Sequence, residues 1–514
     1  METSDRRQGT LTRRQILKWG GLVAASSLST LVIACGGGGT STATVVPATA
    51  APSTGGVASV APSVAPTVAA TRAVTASTAP AGASATVGGA STPSASGAAT
   101  SAYQMRTSVR GNIDFWHFWG SPVRRNAIRR IIGEFGAVYP GIKVNETYVP
   151  FGDIFTRLLT TVAAGSGMPD AIVDDRGQLR ARAASQIDTS FADLAKRDNV
   201  TGEAFWPFTW TEATYNGEPF GLPYETDIRV LYYNKAALAD AGLDPEKPPT
   251  NWDELTASAD KIDQKDGDKL VRIAFYPTVG NIGLDTWGWC NGGEWQTSDN
   301  TPTINRAENV AALTWMKTWA DRYGVSNFNA FKGSFGQGNQ DEFMSGKVAM
   351  KVDIQGYTSQ LNFYNPKFLT KDKKDLGSGV AAIPPAPGHK PASFSGGFAI
   401  TNPRGSKNHE QAWEFAKYLA FVGQAGWARD TYAMPTVEKV AKTDPSLNAD
   451  PNWKFFVSAM DYGRPGVFNP NYPTMMGDVV TPAFDDVTGK GKSPQQALDD
   501  AQKKAEQEIA KNKR

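Results

Sequence analysis

The sequence predicts an α/β protein whose folded body follows a segment without stable structure. From residue 111 onwards, apolar segments typical of buried strands alternate with amphipathic helical segments. By contrast, 64 of the 65 residues at 36–100 are Ala, Ser, Thr, Gly, Val or Pro, and none is aromatic. Such a segment cannot bury enough apolar surface to offset its ordering entropy. The 408 residues of 107–514 remain for the body, which is enough for two domains.

The composition excludes several classes of protein. Removing the seven basic and two acidic residues of the first 106 leaves 45 basic and 48 acidic residues in the body. The body therefore lacks the basic excess of a nucleic-acid-binding protein. With two cysteines far apart and three histidines without ligand spacing, the sequence predicts no metal site and no disulfide framework. It also indicates no cofactor.

The first strand and helix of the body have clear boundaries. Residues 111–119 form a buried-strand pattern. Ser121 and Pro122 then supply a helix N-cap followed by proline at the first helical position. The helix carries apolar residues on one face and is expected to stop at 139–141, a Tyr-Pro-Gly sequence.

The next elements repeat this alternation. Residues 142–149 predict a second strand, 151–162 an amphipathic helix that includes Phe151 on its apolar face, and 170–175 a short third strand. Strands joined by helical crossovers form a parallel sheet, and ligands bind beyond the carboxyl ends of its strands. The residues at those ends are Trp119, Asp174, Asp175 and Arg176.

The N-terminus is typical of an exported lipoprotein. Arg13 and Arg14 precede a mildly apolar stretch at 19–34, as in a twin-arginine export signal. The stretch ends in L-V-I-A-C, which resembles a lipobox with Cys35 as the lipidated residue. We therefore expect residues 1–34 to be removed. The alternative is an uncleaved transmembrane anchor, which the short stretch with its glycines and serines disfavours.

Residues 35–106 are then predicted to be a tether between the lipid and the body. A flexible chain of this length has an r.m.s. span of about 45 Å. A Ser/Thr-Pro stalk carrying O-glycans has the same composition and remains an alternative.

The middle of the chain resembles a known family. Residues 217–242 read G-E-P-F-G-L-P-Y-E-T-D-I-R-V-L-Y-Y-N-K-A-A-L-A-D-A-G, and 247–255 read K-P-P-T-N-W-D-E-L. Both resemble the extracellular solute-binding proteins of sugar-type ABC importers. Further segments resemble that family in the same order, namely 115–119, 141–144, 168–170, 343–350, 396–400 and 406–415.

The resemblance implies a two-lobed periplasmic-binding-protein fold with a hinge. Matching segments place lobe one at 107–226 and 390–430, and lobe two at 227–389 and 431–514. It also implies a monomeric receptor without catalytic activity. The lipobox at Cys35 independently predicts that this receptor is anchored at the outer face of the cell membrane. Its expected partners are a mono- or oligosaccharide bound between the lobes, two ABC permease subunits and their cytosolic ATPase.

Aromatic rings and carboxylates are the expected ligand-binding groups. Rings stack on the C–H faces of sugars, and charged or amide groups bind the hydroxyls. Trp119 is a candidate at a strand end, and Trp287 and Trp289 are candidates because the matching family segment carries a stacking aromatic in a glycine-rich turn region. The remaining candidates implied by the resemblance are Asp175, Arg176, Tyr224, Glu225, Asp227, Tyr357, Gly396 and Gly397. Tyr357 departs from the family's pattern, which often has tryptophan there.

Two alternatives remain open. The solute of the same receptor fold could be a peptide, a polyol or a phosphate-bearing polyol, although aromatics without a basic cluster favour neutral carbohydrate. An exported carbohydrate hydrolase would need two carboxylates facing one sugar, and Asp175 and Asp227 are the candidates. Other enzyme classes are disfavoured because no G-x-S-x-G elbow and no complete phosphate loop occur.

Overall fold

A computed structural model describes residues 104–366 and 377–512. All of these residues belong to one compact unit. The predicted export signal, Cys35 and nearly all of the predicted tether lie outside the described residues. Among the described residues, no helix is both long enough and apolar enough to cross a bilayer.

Strands and helices alternate through most of the body. The strands are β1 (Gly111–His117), β2 (Ile142–Tyr148), β3 (Ala171–Asp175), β4 (Thr214–Tyr215), β5 (Glu218–Pro219), β6 (Gly221–Thr226), β7 (Arg229–Asn234), β8 (Gln264–Asp266), β9 (Lys269–Arg272), β10 (Met350–Ile354), β11 (Ser378–Ala381), β12 (Ser393–Phe394), β13 (Gly397–Thr401), β14 (Met434–Pro435) and β15 (Gly463–Arg464).

The α-helices follow the same chain order. They are α1 (Pro122–Val138), α2 (Phe151–Ala164), α3 (Arg176–Ala184), α4 (Ala192–Arg197), α5 (Pro207–Glu212), α6 (Lys235–Asp240), α7 (Trp252–Ile262), α8 (Leu284–Cys290), α9 (Ala307–Tyr323), α10 (Val325–Lys332), α11 (Tyr357–Tyr364), α12 (His409–Tyr418), α13 (Gln424–Thr431), α14 (Glu438–Thr443), α15 (Pro451–Ala459), α16 (Ala483–Gly489) and α17 (Pro494–Asn512). A π-helical turn, Leu419–Gly423, joins α12 to α13.

Local sequence signals account for the first helices. Ser121 caps α1 by accepting a hydrogen bond from the backbone N–H of Arg124, and Pro122 occupies the first helical position, as predicted. Helix α2 ends at Gly165, which adopts the left-handed conformation with φ of 69°. At the other end of the chain, α17 buries one apolar face, formed by Ala497, Leu498, Ala501, Ala505 and Ile509.

Two sheets organise the body. The first has six strands in the order β14-β6-β13-β3-β1-β2, of which β1 is parallel to β2 and β3 as predicted, while β13 runs antiparallel to β3 and β6. The second has three antiparallel strands in the order β10-β7-β11. The observed architecture is the two-lobed α/β arrangement that the sequence predicts, although the first sheet is mixed rather than fully parallel.

The chain crosses between the sheets more than once. Only Asp227 and Ile228 separate β6 of the first sheet from β7 of the second. The chain returns to the first sheet at β13, directly after the short strand β12. Strand β14 pairs with β6 and lies beyond residue 430, where the sequence analysis ends lobe one. The assignment of residues to lobes therefore stays a prediction.

Separate apolar cores lie under the two sheets. One contains side chains of β1, α1 and α2 with those of α12, and the other contains side chains of α7, α8 and α9 with those of α17. A third cluster forms between the second sheet and α15. Most of the tryptophans belong to these cores, including Trp319 and Trp413.

A buried ion cluster holds the first described residues against α12. Asp198 is fully buried and pairs with Lys417, whose Nζ lies 2.6 Å from Oδ2, and with Arg106, whose Nε lies 2.9 Å from Oδ1. Lys417 also donates to the backbone carbonyl of Gln104, and Glu414 accepts from the backbone N–H of Arg106 at 3.1 Å. The chain therefore enters the body at a fixed place beside the first sheet.

Candidate functional site

A cavity of about 490 Å³ lies where the chain crosses between the two sheets. Its walls come from the ends of β3 and β6, the start of β13, the residues after β10, and the N-terminal turns of α1 and α2. The lining residues used below are Phe118, Arg124, Phe151, Asp175, Glu225, Asp227, Arg229, Asn281, Gln355, Phe394, Gly396, Gly397 and Phe398. Polar groups and aromatic rings thus share one concave surface.

Asp227 occupies the crossing itself. Its Oδ1 accepts hydrogen bonds from the backbone N–H of Gly396, at 2.8 Å, and from the guanidinium of Arg229. Its Oδ2 has no hydrogen-bond donor among the described residues, and the side chain is 14% exposed. One carboxylate oxygen is therefore fixed by the protein, and the other is available to accept from a ligand.

Glu225 is held by two indoles. Trp119 Nε1 donates to its Oε1 at 3.4 Å, and Trp427 Nε1 donates to its Oε2. The two indole rings pack against each other with their centroids 4.3 Å apart. Burial raises the pKa of Glu225, against the opposing effect of Arg124 and the indole N–H groups. Trp119 thus contacts a cavity residue without lining the cavity, and it is 1% exposed.

Asp175 and Arg176 lie at different depths relative to the surface of the cavity. Asp175 lines the cavity and caps α3 through its Oδ1, which accepts from the backbone N–H of Gly177 at 2.8 Å. Burial raises the pKa of Asp175, with Arg182 opposing that rise. Arg176 is fully buried behind the wall and does not line the cavity.

The guanidinium of Arg176 braces the cavity wall from behind. It pairs with Glu212 at 3.2 Å and donates to the backbone carbonyl of Glu225 at 3.1 Å. It also donates to Thr226 Oγ1 at 3.1 Å and to the backbone carbonyl of Gly396. These contacts join β6 to the start of β13, so Arg176 positions the wall rather than the solute.

The two predicted glycines line the cavity. Gly397 has φ of 126°, and a Cβ there would lie 2.3 Å from the backbone carbonyl oxygen of Glu225. Only glycine allows this close approach of β13 to β6. At Gly396 a Cβ would lie 3.3 Å from Asp227 Oδ2, so the absent side chain also leaves that carboxylate uncovered.

Phenylalanines form the aromatic part of the wall. Phe118 packs against Phe398 with ring centroids 4.6 Å apart, and against Phe151 with centroids 5.0 Å apart. Phe151 is 45% exposed at the first turn of α2, although its spacing placed it on the buried face of that helix. The cluster presents ring surface on the side of the cavity formed by the first sheet.

Trp287 and Trp289 lie elsewhere, in a helix and not in the predicted turn. They belong to α8, where both are buried in the core of the second half. Gly288 occurs there because a Cβ would lie 2.4 Å from the ring of Trp295, so this glycine serves helix packing and not a turn. Neither tryptophan lines this cavity or the neighbouring one described below.

Tyr224 and Tyr357 are also turned away from the cavity. Tyr224 is fully buried beside Trp119 and Trp427, where burial raises the pKa of its hydroxyl. The hydroxyl of Tyr357 donates to Asp341 at 2.6 Å, and Lys351 Nζ lies 3.8 Å from its ring centre. Direct contact of these residues with a solute stays a prediction.

Several lining residues are not among those predicted from the sequence. Arg124 lies three residues after Ser121, the predicted N-cap of α1, and Gln355 lies two residues before Tyr357. Gln355 accepts from the backbone N–H of Ile228 at 2.8 Å, which ties the second sheet to the crossing. Phe398 directly follows Gly396 and Gly397 in the sequence, and this adjacency could have identified it as a lining residue. Among the described residues, no cluster of His, Cys, Asp and Glu could hold a metal ion.

Known proteins resemble this chain over most of the body. A binding protein of Brucella abortus (strain 2308) is 26% identical over 390 residues, which cover 73% of this chain and 88% of that protein. The arabinooligosaccharide-binding protein of Bacillus subtilis (strain 168) is 24% identical over 414 residues, covering 76% and 90%. The structure of CpMnBP1 with mannotriose bound superposes with a TM-score of 0.68 at 26% identity, covering 77% of this chain and all of that one.

A family model gives the assignment. The model of the bacterial extracellular solute-binding proteins matches residues 120–425, which is more than half of the chain and includes every cavity residue named above except Phe118. The chain therefore belongs to the family of bacterial extracellular solute-binding proteins.

Proposed function

We propose that this protein is a membrane-tethered receptor that binds a neutral mono- or oligosaccharide and delivers it to an ABC importer. The observation that carries the proposal is the cavity at the chain crossing, where ring faces and carboxylates line one surface. A sugar presents flat C–H faces and a rim of hydroxyl groups, and these wall groups complement both.

The charges of the cavity favour a neutral solute. Arg229 is already engaged, because its guanidinium donates to Asp227, to the backbone carbonyl of Phe394 and to Asn281. Arg124 lines the cavity together with the three carboxylates of Asp175, Glu225 and Asp227. A phosphate-bearing solute would meet that carboxylate excess without a free basic cluster. Two similar proteins, the arabinooligosaccharide-binding protein of Bacillus subtilis and CpMnBP1 with mannotriose bound, support the same choice.

Transport requires partners, and we propose two permease subunits with a cytosolic ATPase. Membership of an extracellular family implies that the body works outside the cytoplasm. Movement at the two-residue crossing would bring the rims of both halves together around the solute. A ligand that contacts both halves favours that closed state. We propose that the receptor acts as a monomer.

We further propose lipid anchoring through Cys35 after export by way of Arg13 and Arg14. Wild-type protein should take up labelled palmitate in cells, and Cys35→Ser should not, because the thiol is the group that receives the lipid. Replacing both arginines by lysine should block export. Wild-type protein that takes up no label would contradict the anchoring, and export unaffected by the lysine pair would point to the general secretory route.

We propose that the receptor has no catalytic activity. The hydrolase alternative required Asp175 and Asp227, and both are engaged structurally, one as a helix cap and one with Arg229 and Gly396. Incubation with an oligosaccharide should therefore release no reducing sugar. Release that disappears in Asp175→Asn and Asp227→Asn would instead support a hydrolase.

Titration calorimetry of the purified protein against a solute panel tests the proposed ligand class. The panel contains neutral mono- and oligosaccharides, a polyol, glycerol 3-phosphate, peptides and amino acids. Asp227→Ala should weaken the binding of the best saccharide about tenfold to a hundredfold, because a hydrogen bond to a charged acceptor contributes about 1.5–3 kcal/mol.

Two further variants keep this test interpretable. Asp227→Asn preserves the shape of the side chain, so it provides a second test if Asp227→Ala does not fold. It should bind the saccharide more weakly than the wild-type protein does. Asp321→Asn is the control, because it removes an exposed carboxylate on α9. It should leave the dissociation constant of the saccharide unchanged. Binding confined to peptides or amino acids would overturn the carbohydrate assignment.

A further inference from the structure

A second cavity of about 640 Å³ adjoins the first on the side of the second sheet. Its wall is formed by residues 278–283, by the start of α8, by Lys332 at the end of α10 and by Phe335. Glu342 and Asp353 complete it. The two cavities share Arg229, Asn281 and Phe394, so these three residues form the partition between them.

The partition is a fixed structure. The Arg229 guanidinium lies over the ring of Phe394, 4.3 Å from its centre, and its Nη1 donates to the backbone carbonyl of Phe394 at 3.0 Å. Arg229 Nε donates to the backbone carbonyl of Asn281 at 3.0 Å, and Nη2 to the side-chain oxygen of Asn281 at 3.1 Å. Arg229 is only 6% exposed. Hydrogen bonds from a buried guanidinium thus connect the crossing, the 278–283 loop and the segment before β13.

The outer wall of the second cavity is also built into the fold. Gly280 has φ of 92°, and a Cβ there would lie 2.1 Å from the backbone carbonyl oxygen of Val352. The backbone N–H of Asn281 donates to that same oxygen at 2.8 Å. The loop is therefore held directly against β10, and the cavity is not a gap beneath a loose surface segment.

Both sides of the partition offer the same chemistry. The first cavity has the rings of Phe118, Phe151 and Phe398 with the carboxylates of Asp175, Glu225 and Asp227. The second has the rings of Phe335 and Phe394 with the carboxylates of Asp285, Glu342 and Asp353. Lys351 Nζ pairs with one oxygen of Glu342, at 2.9 Å, and with one oxygen of Asp353, at 3.1 Å. Each volume is within the range of about 300–1,000 Å³ that is typical of small-molecule sites. A solute made of repeated units matches a site whose wall chemistry is repeated.

We propose that the two cavities are compartments of one elongated site, and that the solute is an oligosaccharide of at least two residues that spans the partition of Arg229, Asn281 and Phe394. This inference rests on the proposed function and restricts it, since it excludes a monosaccharide as the preferred solute. The first compartment binds one end of the oligosaccharide against the rings of Phe118, Phe151 and Phe398. The second binds the following residue against Phe335, with Lys332 available to donate to its hydroxyls.

Binding as a function of chain length tests the proposal. The dissociation constants of the wild-type protein are measured by calorimetry for mono-, di- and trisaccharides of one series, chosen as the series that gives the best hit in the panel. We expect affinity to rise at least about tenfold from mono- to disaccharide, because the second compartment then buries a further apolar face.

Variants on each side of the partition separate the two compartments. Phe151→Ala should weaken the binding of every chain length, because its ring belongs to the first compartment. Phe335→Ala should weaken the binding of di- and trisaccharides about tenfold and leave the monosaccharide unchanged. Lys332→Ala, an exposed position, provides a second variant of this type if Phe335→Ala is unstable. Phe363→Ala, an exposed phenylalanine on α11, is the matched control and should change nothing.

The outcomes distinguish this inference from the proposed function. Equal affinity for all chain lengths, or equal loss at all lengths in Phe335→Ala and Lys332→Ala, would overturn the elongated site and leave a sugar receptor. Absence of binding to every saccharide, together with binding of another solute class, would overturn the proposed function itself.

Discussion

The two halves of the body build their sides of the site in different ways. The side of the first sheet is made of strand ends whose polar groups are fixed by buried partners, as Arg176 and the indoles of Trp119 and Trp427 show. The side of the second sheet is made of a loop and helix ends, and it includes exposed positions such as Asn281 and Lys332. The polar groups of the first side are therefore tied to the stability of the fold. On the second side the backbone is also fixed, by Arg229 and by the contact of Gly280 with β10, but exposed side chains such as Lys332 can vary with little cost to folding.

The largest loss of stability is expected when Arg176, which braces the cavity wall on the side of the first sheet, is replaced. Arg176→Met leaves the buried carboxylate of Glu212 without this ion pair and removes the link between β6 and the start of β13. Breaking a buried pair in this way costs about 3–5 kcal/mol of unfolding free energy. Chemical denaturation should show this loss, with solute affinity falling as well.

Arg130→Met is the matched control for this change. Arg130 is 41% exposed and bridges Glu134 and Asp430 on the surface. Exposed ion pairs contribute about 0–1 kcal/mol, so stability should change little. A similar loss in both variants would contradict the structural role given to Arg176.

A smaller effect is expected at the contact between β13 and β6. Gly397→Ala combines a strained backbone, at φ of 126°, with a Cβ that would overlap the carbonyl of Glu225. We expect a loss of at least about 1–3 kcal/mol in unfolding free energy and weaker solute binding, because the wall must shift. Thermal unfolding and calorimetry measure the two quantities.

Gly217→Ala isolates the backbone contribution. Gly217 also has positive φ, of 83°, but a Cβ there would meet nothing within 4 Å. This variant should lose some stability and keep its solute affinity. If Gly397→Ala behaves in the same way, the close approach of the two strands does not shape the cavity.

The smallest effects should separate buried from exposed rings. Trp287→Phe removes a hydrogen bond from Nε1 to the carbonyl of Pro277 and some core volume, so it should lower stability by about 1–3 kcal/mol and leave affinity within twofold. Phe151→Ala should do the reverse, since this ring is 45% exposed on the cavity wall. Weaker binding in Trp287→Phe at unchanged stability would instead place that residue in the site.

Local signals in the sequence were sufficient for much of the fold. The cap at Ser121, the glycine that ends α2 and the apolar face of α17 are each specified by residues within a few positions of one another. They could therefore be predicted without knowledge of the tertiary structure. The family resemblance supplied the two-lobed arrangement, which the family match supports.

The site could be predicted only in part. Asp175, Glu225, Asp227, Gly396 and Gly397 line the cavity, and the family resemblance implied each of them as a ligand-binding residue. Trp287 and Trp289 were predicted to stack on a ligand because the matching family segment carries a stacking aromatic, but burial depends on contacts between distant segments. Those contacts place Trp287 inside a core.

The phenylalanine wall shows the same limit. Phe118, Phe151 and Phe398 meet only when β1, α2 and β13 are brought together in the first sheet and its flanking helix. No local pattern distinguishes such a ring from a core residue. Phe151 in particular follows the spacing of buried positions and is nevertheless exposed.

The ion cluster at Gln104 and Arg106 attaches the start of the described residues to the half that contains the first sheet. Although burial alone would raise it, hydrogen bonds from Arg197, Lys417 and Trp413 hold the pKa of Asp198 well below its usual range. Because the pKa of Asp198 is lower in the folded state, its contribution to the free energy of unfolding is fully present above the ordinary pKa of an aspartate. This contribution is lost only as the pH falls through the lowered pKa. The attachment therefore persists in acidic surroundings. Because it joins the chain to the half that contains the first sheet, opening and closing would displace the half with the second sheet relative to any anchor upstream.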